Sequence, residues 1–165
     1  MDMWIWILLW VFSIMILIAI IVANIRKDIK KSTSTISFKE GLDLTELPIA
    51  TFNCGNKKLH FLLDTGSSIS YINQDVLPKI EYTTTGNASR VVGMEGNAAE
   101  INHYLIKIEY KDNTFEEEFG AANLTSAFQA ISKENGVELH GILGSKFFEK
   151  YKYILDFKEL TAYRQ

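Results

Sequence analysis

From Trp4 to Ala23 the chain runs through 20 residues whose only polar side chain is Ser13. A run this apolar satisfies its own backbone polar groups, away from water, only as a helix. As a helix, 20 residues rise about 30 Å, the hydrocarbon thickness of a bilayer. Trp4, Trp6 and Trp10 crowd one end, as in an interfacial aromatic belt. A cleaved signal peptide is the competing reading. It needs a basic n-region and a small-residue cleavage site. Here Asp2 precedes the run without Lys or Arg, and Ile21-Val22-Ala23-Asn24 is a poor cleavage site. The expectation is one retained transmembrane helix over residues 3–25, with the lipid bilayer as its partner. Arg26, Lys27, Lys30 and Lys31 follow it and nothing basic precedes it. The positive-inside rule then gives a single-pass protein of the cell membrane with its C-terminal side in the cytoplasm.

Residues 26–42 read as a basic juxtamembrane segment and a linker carrying Ser32, Thr33, Ser34, Thr35 and Ser37. Residues 43–165 remain for one folded domain, enough for a modest core. The net charge is −3 with no basic face, which speaks against a nucleic-acid partner. Cys54 is the only cysteine, so an intrachain disulfide is excluded, as suits a reducing compartment. His60, His103 and His140 lack metal-ligand spacing and read as surface or strand-edge residues; no metal or cofactor is expected. Glu116-Glu117-Glu118 reads as a solvated strand edge.

The domain reads as strands and turns. Pro48 opens a strand over 49–52, Gly55-Asn56 turns, and 59–63 returns. Asn73 suits the N-cap of a short helix ending near Pro78. Val91-Val92 and 99–103 flank a Gly93–Gly96 turn. Strands follow at 105–110 and 114–119, and a short helix is expected from Thr125 or Ser126 toward Ser132. A buried strand ends in Ile142-Leu143-Gly144, a helix spans 147–151, and a hairpin closes the domain. The fold class expected is mostly β: a closed antiparallel barrel with short helices.

The chemistry concentrates in Asp64-Thr65-Gly66-Ser67-Ser68, directly after the apolar His60-Phe61-Leu62-Leu63. A carboxylate at the end of a buried strand is held fixed, and neighbouring hydroxyls can hydrogen-bond it. An ordinary polar turn would use the same residue types. So would a phosphate-binding turn of actin-like ATPases. That fold needs two large lobes, and only about 100 residues follow Asp64.

With Val92-Gly93-Met94-Glu95-Gly96 and Ile142-Leu143-Gly144 following in order, the chain from about Leu47 to Tyr163 resembles the retropepsin-like (single-domain, retroviral-type) aspartic proteases, in their bacterial, membrane-anchored form. The resemblance implies an acid-protease barrel and an aspartic endopeptidase. That activity needs two carboxylates sharing one proton, and this chain has one Asp-Thr-Gly. It therefore implies a homodimer with one Asp64 from each chain as the catalytic pair, acting on a peptide or protein substrate. Thr65 would brace the two loops and Gly66 would let substrate or water approach. The Ser67 hydroxyl would bond the carboxylate. Gly93, Met94, Glu95 and Gly96 would form a flap over the substrate, and Ile142, Leu143 and Gly144 would support the loop from behind. The alternative is an inactive descendant of that fold serving as a peptide-binding or assembly module at the membrane.

Overall fold

The computed structural model describes residues 3–33, 35–92 and 98–164, with side chains except at 5, 8, 9, 27–33, 91, 92, 98 and 99. Two compact units form, Met1–Ser34 and Thr35–Gln165. The first is helix α1, Met3–Thr33, which contains no Gly or Pro to interrupt it. It extends beyond residue 25 through the basic segment. Its described apolar side chains, among them Trp4, Trp10, Phe12 and Met15, are exposed. Among the described residues, no helix is long and apolar enough to cross a membrane.

The second unit begins earlier than residue 43. Where a linker was expected, Ile36–Ser37 forms strand β1 and Lys39–Thr45 forms helix α2. Ile36 and Phe38 are buried, and burial of that size holds a segment that Ser and Thr alone would leave loose. The strands that follow are β2 (Ile49–Cys54), β3 (Lys57–Leu63), β4 (Ser70–Asn73) and β5 (Thr83–Val92), then β6 (Ala98–Tyr110) and β7 (Asn113–Ala122). Helix α3 is Thr125–Asn135. Strand β8 (Gly141–Leu143), helix α4 (Ser145–Tyr151) and strands β9 (Tyr153–Asp156) and β10 (Thr161–Arg164) complete the unit. Two expected strands, 99–103 and 105–110, are one continuous strand, β6. Asn73 ends β4 instead of capping a helix, and a 3-10 turn over Leu77–Lys79 holds Pro78.

One sheet has the order β2-β3-β8-β4-β7-β6-β5, and a β2–β6 contact at Asn53↔Glu109 closes six of these strands into a barrel. A smaller sheet orders β1-β10-β9. The barrel is mixed, which corrects the expectation of an antiparallel one. β3 pairs with β8 in parallel, and so does β4 with β7. Neither pair is joined by a hairpin. Each partner arrives from far along the chain, so direct reversal does not fix their direction. Phe52, Phe61, Phe115 and Phe147 fill the interior in edge-on and tilted contacts, with ring centroids 5.8 Å apart for Phe52–Phe61 and 5.3 Å for Phe115–Phe147. That core fixes β3 and β8 side by side, and the loop containing Asp64 leaves from their common end.

Candidate active site

Alternation along β3 buries Leu59, Phe61 and Leu63. The chain then leaves the barrel at Asp64, which is half-buried. The Asp64 amide donates to the Leu143 carbonyl at 3.0 Å, so β3 and β8 jointly fix where the side chain starts. The Gly66 amide donates to Asp64 Oδ1 at 2.9 Å, and the Ser67 amide to the Asp64 carbonyl at 3.2 Å. The loop is thus a tight turn folded around its own carboxylate. Gly66 does not take a left-handed backbone; a Cβ there would meet only Asp64 Oδ1, at 3.1 Å. Its contribution is a donor and open space beside the carboxylate. Thr65 is exposed at the loop tip.

The Ser67 hydroxyl does not bond the carboxylate. It donates to the Ile69 carbonyl at 2.8 Å, a bond within the turn of the kind Ser forms two residues along. Ser67 therefore shapes the loop and leaves Asp64 Oδ2 to other partners.

Ile142 and Leu143 lie in β8, and Gly144 follows directly. Gly144 touches the loop so closely that a Cβ would sit 2.3 Å from the Ile69 carbonyl oxygen and 2.9 Å from that of Ser67. Beyond it, the Ser145 amide donates to the Ser67 carbonyl at 2.7 Å and the Lys146 amide to the Ser68 carbonyl at 3.3 Å. The first amides of α4, which have no partner within the helix, are satisfied by the Asp64 loop. Leu143 is buried in the core, and Ile142 packs with Ile49 and Leu139 in a second apolar cluster. The structure thus brings together Asp64, Thr65, Gly66 and Ser67 with Leu143 and Gly144. Met94 and its neighbours Gly93, Glu95 and Gly96 lie outside the described residues. β5 and β6 pair on either side of them as far as Val92↔Ala98.

Three residues that the sequence reading did not single out for the site adjoin it. Ser70 Oγ accepts the Gly144 amide at 3.2 Å and donates to Glu117 Oε1 at 2.8 Å. Lys150 Nζ lies 3.4 Å from Glu117 Oε2. Glu117 is 4% exposed, which corrects its reading as part of a solvated edge. Burial pushes its carboxyl above the ordinary value, opposed by the Ser70 hydrogen bond and the Lys150 charge. The signal was strand parity. Phe115, Glu117 and Phe119 alternate on one face of β7, and both phenylalanines are buried.

The histidines are partnered. The His60 amide donates to His140 Nδ1 at 3.1 Å, and Thr51 Oγ1 lies 2.8 Å from His60 Nδ1. His103 contacts Ser89 at 2.7 Å and Glu118 at 3.1 Å. Among the described residues, no three His, Cys, Asp or Glu side chains gather as a metal site. No protein-family model matches the chain, and no curated protein matches it.

Proposed function

We propose that the chain is a membrane-anchored aspartic endopeptidase that works as a homodimer, with one Asp64 from each chain. The observation that carries this reading is the setting of Asp64. Its backbone is pinned by Leu143, one carboxylate oxygen is held by Gly66, and the other is left to partners on an exposed loop. A carboxylate needed only to stabilise a turn has no use for a bracing strand pair and an α-helix start behind it. The likeness of the Asp-Thr-Gly-Ser loop and the Ile-Leu-Gly strand to retropepsin-like proteases adds to it.

Two such loops facing across a two-fold axis would place their carboxylates together, and like charges that close hold one proton between them. The ionised member accepts a proton from a water molecule, whose oxygen attacks the scissile carbonyl carbon. The protonated member donates its proton to the carbonyl oxygen. The resulting gem-diol collapses as the amide nitrogen takes a proton, the C–N bond breaks, and the dyad regains its single shared proton. Thr65, exposed at the tip, would meet its counterpart in the other loop. The segment 93–96 would cover the peptide.

The anchor rests on the run Trp4–Ala23 and on the exposed apolar side chains of α1, which are unfavourable in water. With the basic residues after it, this reading puts the protease domain in the cytoplasm.

The test is cleavage of a denatured protein pool by wild type and by Asp64→Asn across a dilution series. Asn keeps the shape but cannot take the proton, so cleavage should disappear. Wild-type specific activity should fall on dilution as dimers dissociate. Equal cleavage by Asp64→Asn refutes the mechanism, and an active species that sizes as a monomer refutes the two-chain site.

A further inference from the structure

We propose that Glu117 is a positioning residue for the Asp64 loop, acting through Ser70 on the Gly144 amide. This rests on the reading of Asp64 as the reacting carboxylate.

Ser70 has one hydroxyl proton. Glu117, when ionised, only accepts, so it takes that proton at 2.8 Å. The lone pairs of Ser70 Oγ are then turned to Gly144, whose amide donates at 3.2 Å. Gly144 is the point where the Asp64 loop presses on α4, and the next two amides, of Ser145 and Lys146, carry the loop carbonyls of Ser67 and Ser68. One buried carboxylate thus sets the polarity of a chain of hydrogen bonds ending at the loop. Lys150 holds the other carboxylate oxygen and reaches the Glu116 carbonyl, which fixes α4 to β7. The Tyr151 hydroxyl joins the same carbonyl at 2.6 Å.

Burying a carboxylate on the face of β7 that also carries Phe115 and Phe119 is costly, and an apolar residue at 117 would avoid that cost. Core packing supplies no reason for Glu at this position, and the directional bond to Ser70 does. Glu117 also lines a cleft of about 450 Å³ that Ser70 and Lys150 share, so the network lies at the edge of open space.

The discriminating variant is Glu117→Gln. Its amide has one acceptor and one donor end. If the oxygen faces Ser70, the NH2 group faces the Lys150 ammonium, donor against donor. If the amide is turned, its NH2 competes with Gly144 for Ser70 Oγ. Either way the chain of bonds loses a link. Backbone amide exchange of the full chain in detergent reads the result. In Glu117→Gln and in Ser70→Ala, the amides of Gly144, Ser145 and Lys146 should exchange about tenfold faster. Core amides such as those of Phe61 and Ile72 should keep their rates. Unchanged exchange at 144–146, or acceleration spread equally over the core, overturns the proposal. Peptidase kinetics add a second readout: kcat should fall while KM stays within about twofold. Faster exchange with unchanged kcat also overturns it. A wild-type chain without peptidase activity defeats the reading of Asp64, and the exchange pattern then still decides whether Glu117 holds the loop.

Discussion

Replacing Gly144 by Ala should damage the domain out of proportion to one methyl group. The backbone at Gly144 has φ −85° and ψ 177°, which any residue adopts, so the cost is not conformational. It is contact. The new Cβ would lie 2.3 Å from the Ile69 carbonyl oxygen, 2.5 Å from the carbonyl carbon and 2.9 Å from the Ser67 oxygen. All three are backbone atoms, so no side chain can swing away. Ordinary contact starts at 3.4 Å, and the loop must therefore retreat by about 1 Å. The bonds from Ser145 to Ser67 at 2.7 Å, from Lys146 to Ser68 at 3.3 Å and from Gly144 to Ser70 at 3.2 Å span that same gap. Losing them costs about 1 kcal/mol each, and residual overpacking adds about 1 kcal/mol or more. The sum is about 4 kcal/mol, a fall of about 10–15 °C in Tm for a domain of this size. Near-UV circular dichroism of the full chain in detergent, followed through thermal unfolding, measures it. Gly66→Ala is the comparison: its Cβ meets only Asp64 Oδ1, so stability should change by less than about 1 kcal/mol. A Gly144→Ala variant melting within about 2 °C of wild type would refute the claim that the loop is clamped on α4.

Two further outcomes are expected. Burial lowers the pKa of both His60 and His140, and His140 Nδ1 must stay unprotonated to accept the His60 amide. A depressed folded pKa means stability that is complete above the unfolded value of about 6.5 and is lost as pH falls through the folded values. Glu117, raised by burial, works in the opposite sense: its contribution is greatest in acid and is lost as pH rises through its folded pKa. Denaturant unfolding at several pH values should show His140→Gln losing less stability than wild type between pH 7 and 5, and an equal loss would exclude the pair as its source. For the membrane, Ser34→Cys should resist a membrane-impermeant thiol reagent on intact cells. Cys54 is buried and its thiol is pushed up by burial, so background labelling should be low. Strong labelling of Ser34→Cys would put the domain outside and overturn the charge-based orientation.

Most of the strand content was legible because period-two burial writes itself into sequence, as in Leu59, Phe61 and Leu63 of β3. The same rule would have placed Glu117 inside, between Phe115 and Phe119, but a run of three glutamates reads by charge before it reads by parity. Partner choice was not legible. Parity says which face is buried and nothing about which strand lies alongside, so the parallel β3–β8 and β4–β7 pairs were hidden. The linker reading failed at Ile36 and Phe38 because two buried side chains in a Ser/Thr-rich stretch outweigh its composition. Around Asp64 the sequence reading named the loop and its support at Gly144. It misassigned the Ser67 hydroxyl, since whether a serine bonds its own turn or the neighbouring carboxylate depends on a rotamer. Ser70 was invisible, because its role exists only where β4, β7 and Gly144 meet.

The parallel pairing of β3 with β8 has a consequence for the order of events during biosynthesis. The Asp64 amide finds its acceptor on Leu143, and the loop finds its clamp on Gly144 to Lys146, some 80 residues later in the chain. Contacts so distant in sequence close slowly, because the intervening chain must surrender its entropy first. A ribosome-bound chain that has exposed only β1 to β7 holds Asp64 on an unbraced turn. The carboxylate therefore reaches its fixed position only after nearly the whole domain has emerged. If the chain is the peptidase proposed above, that delay would keep the nascent polypeptide from cutting itself or its neighbours until synthesis is almost done.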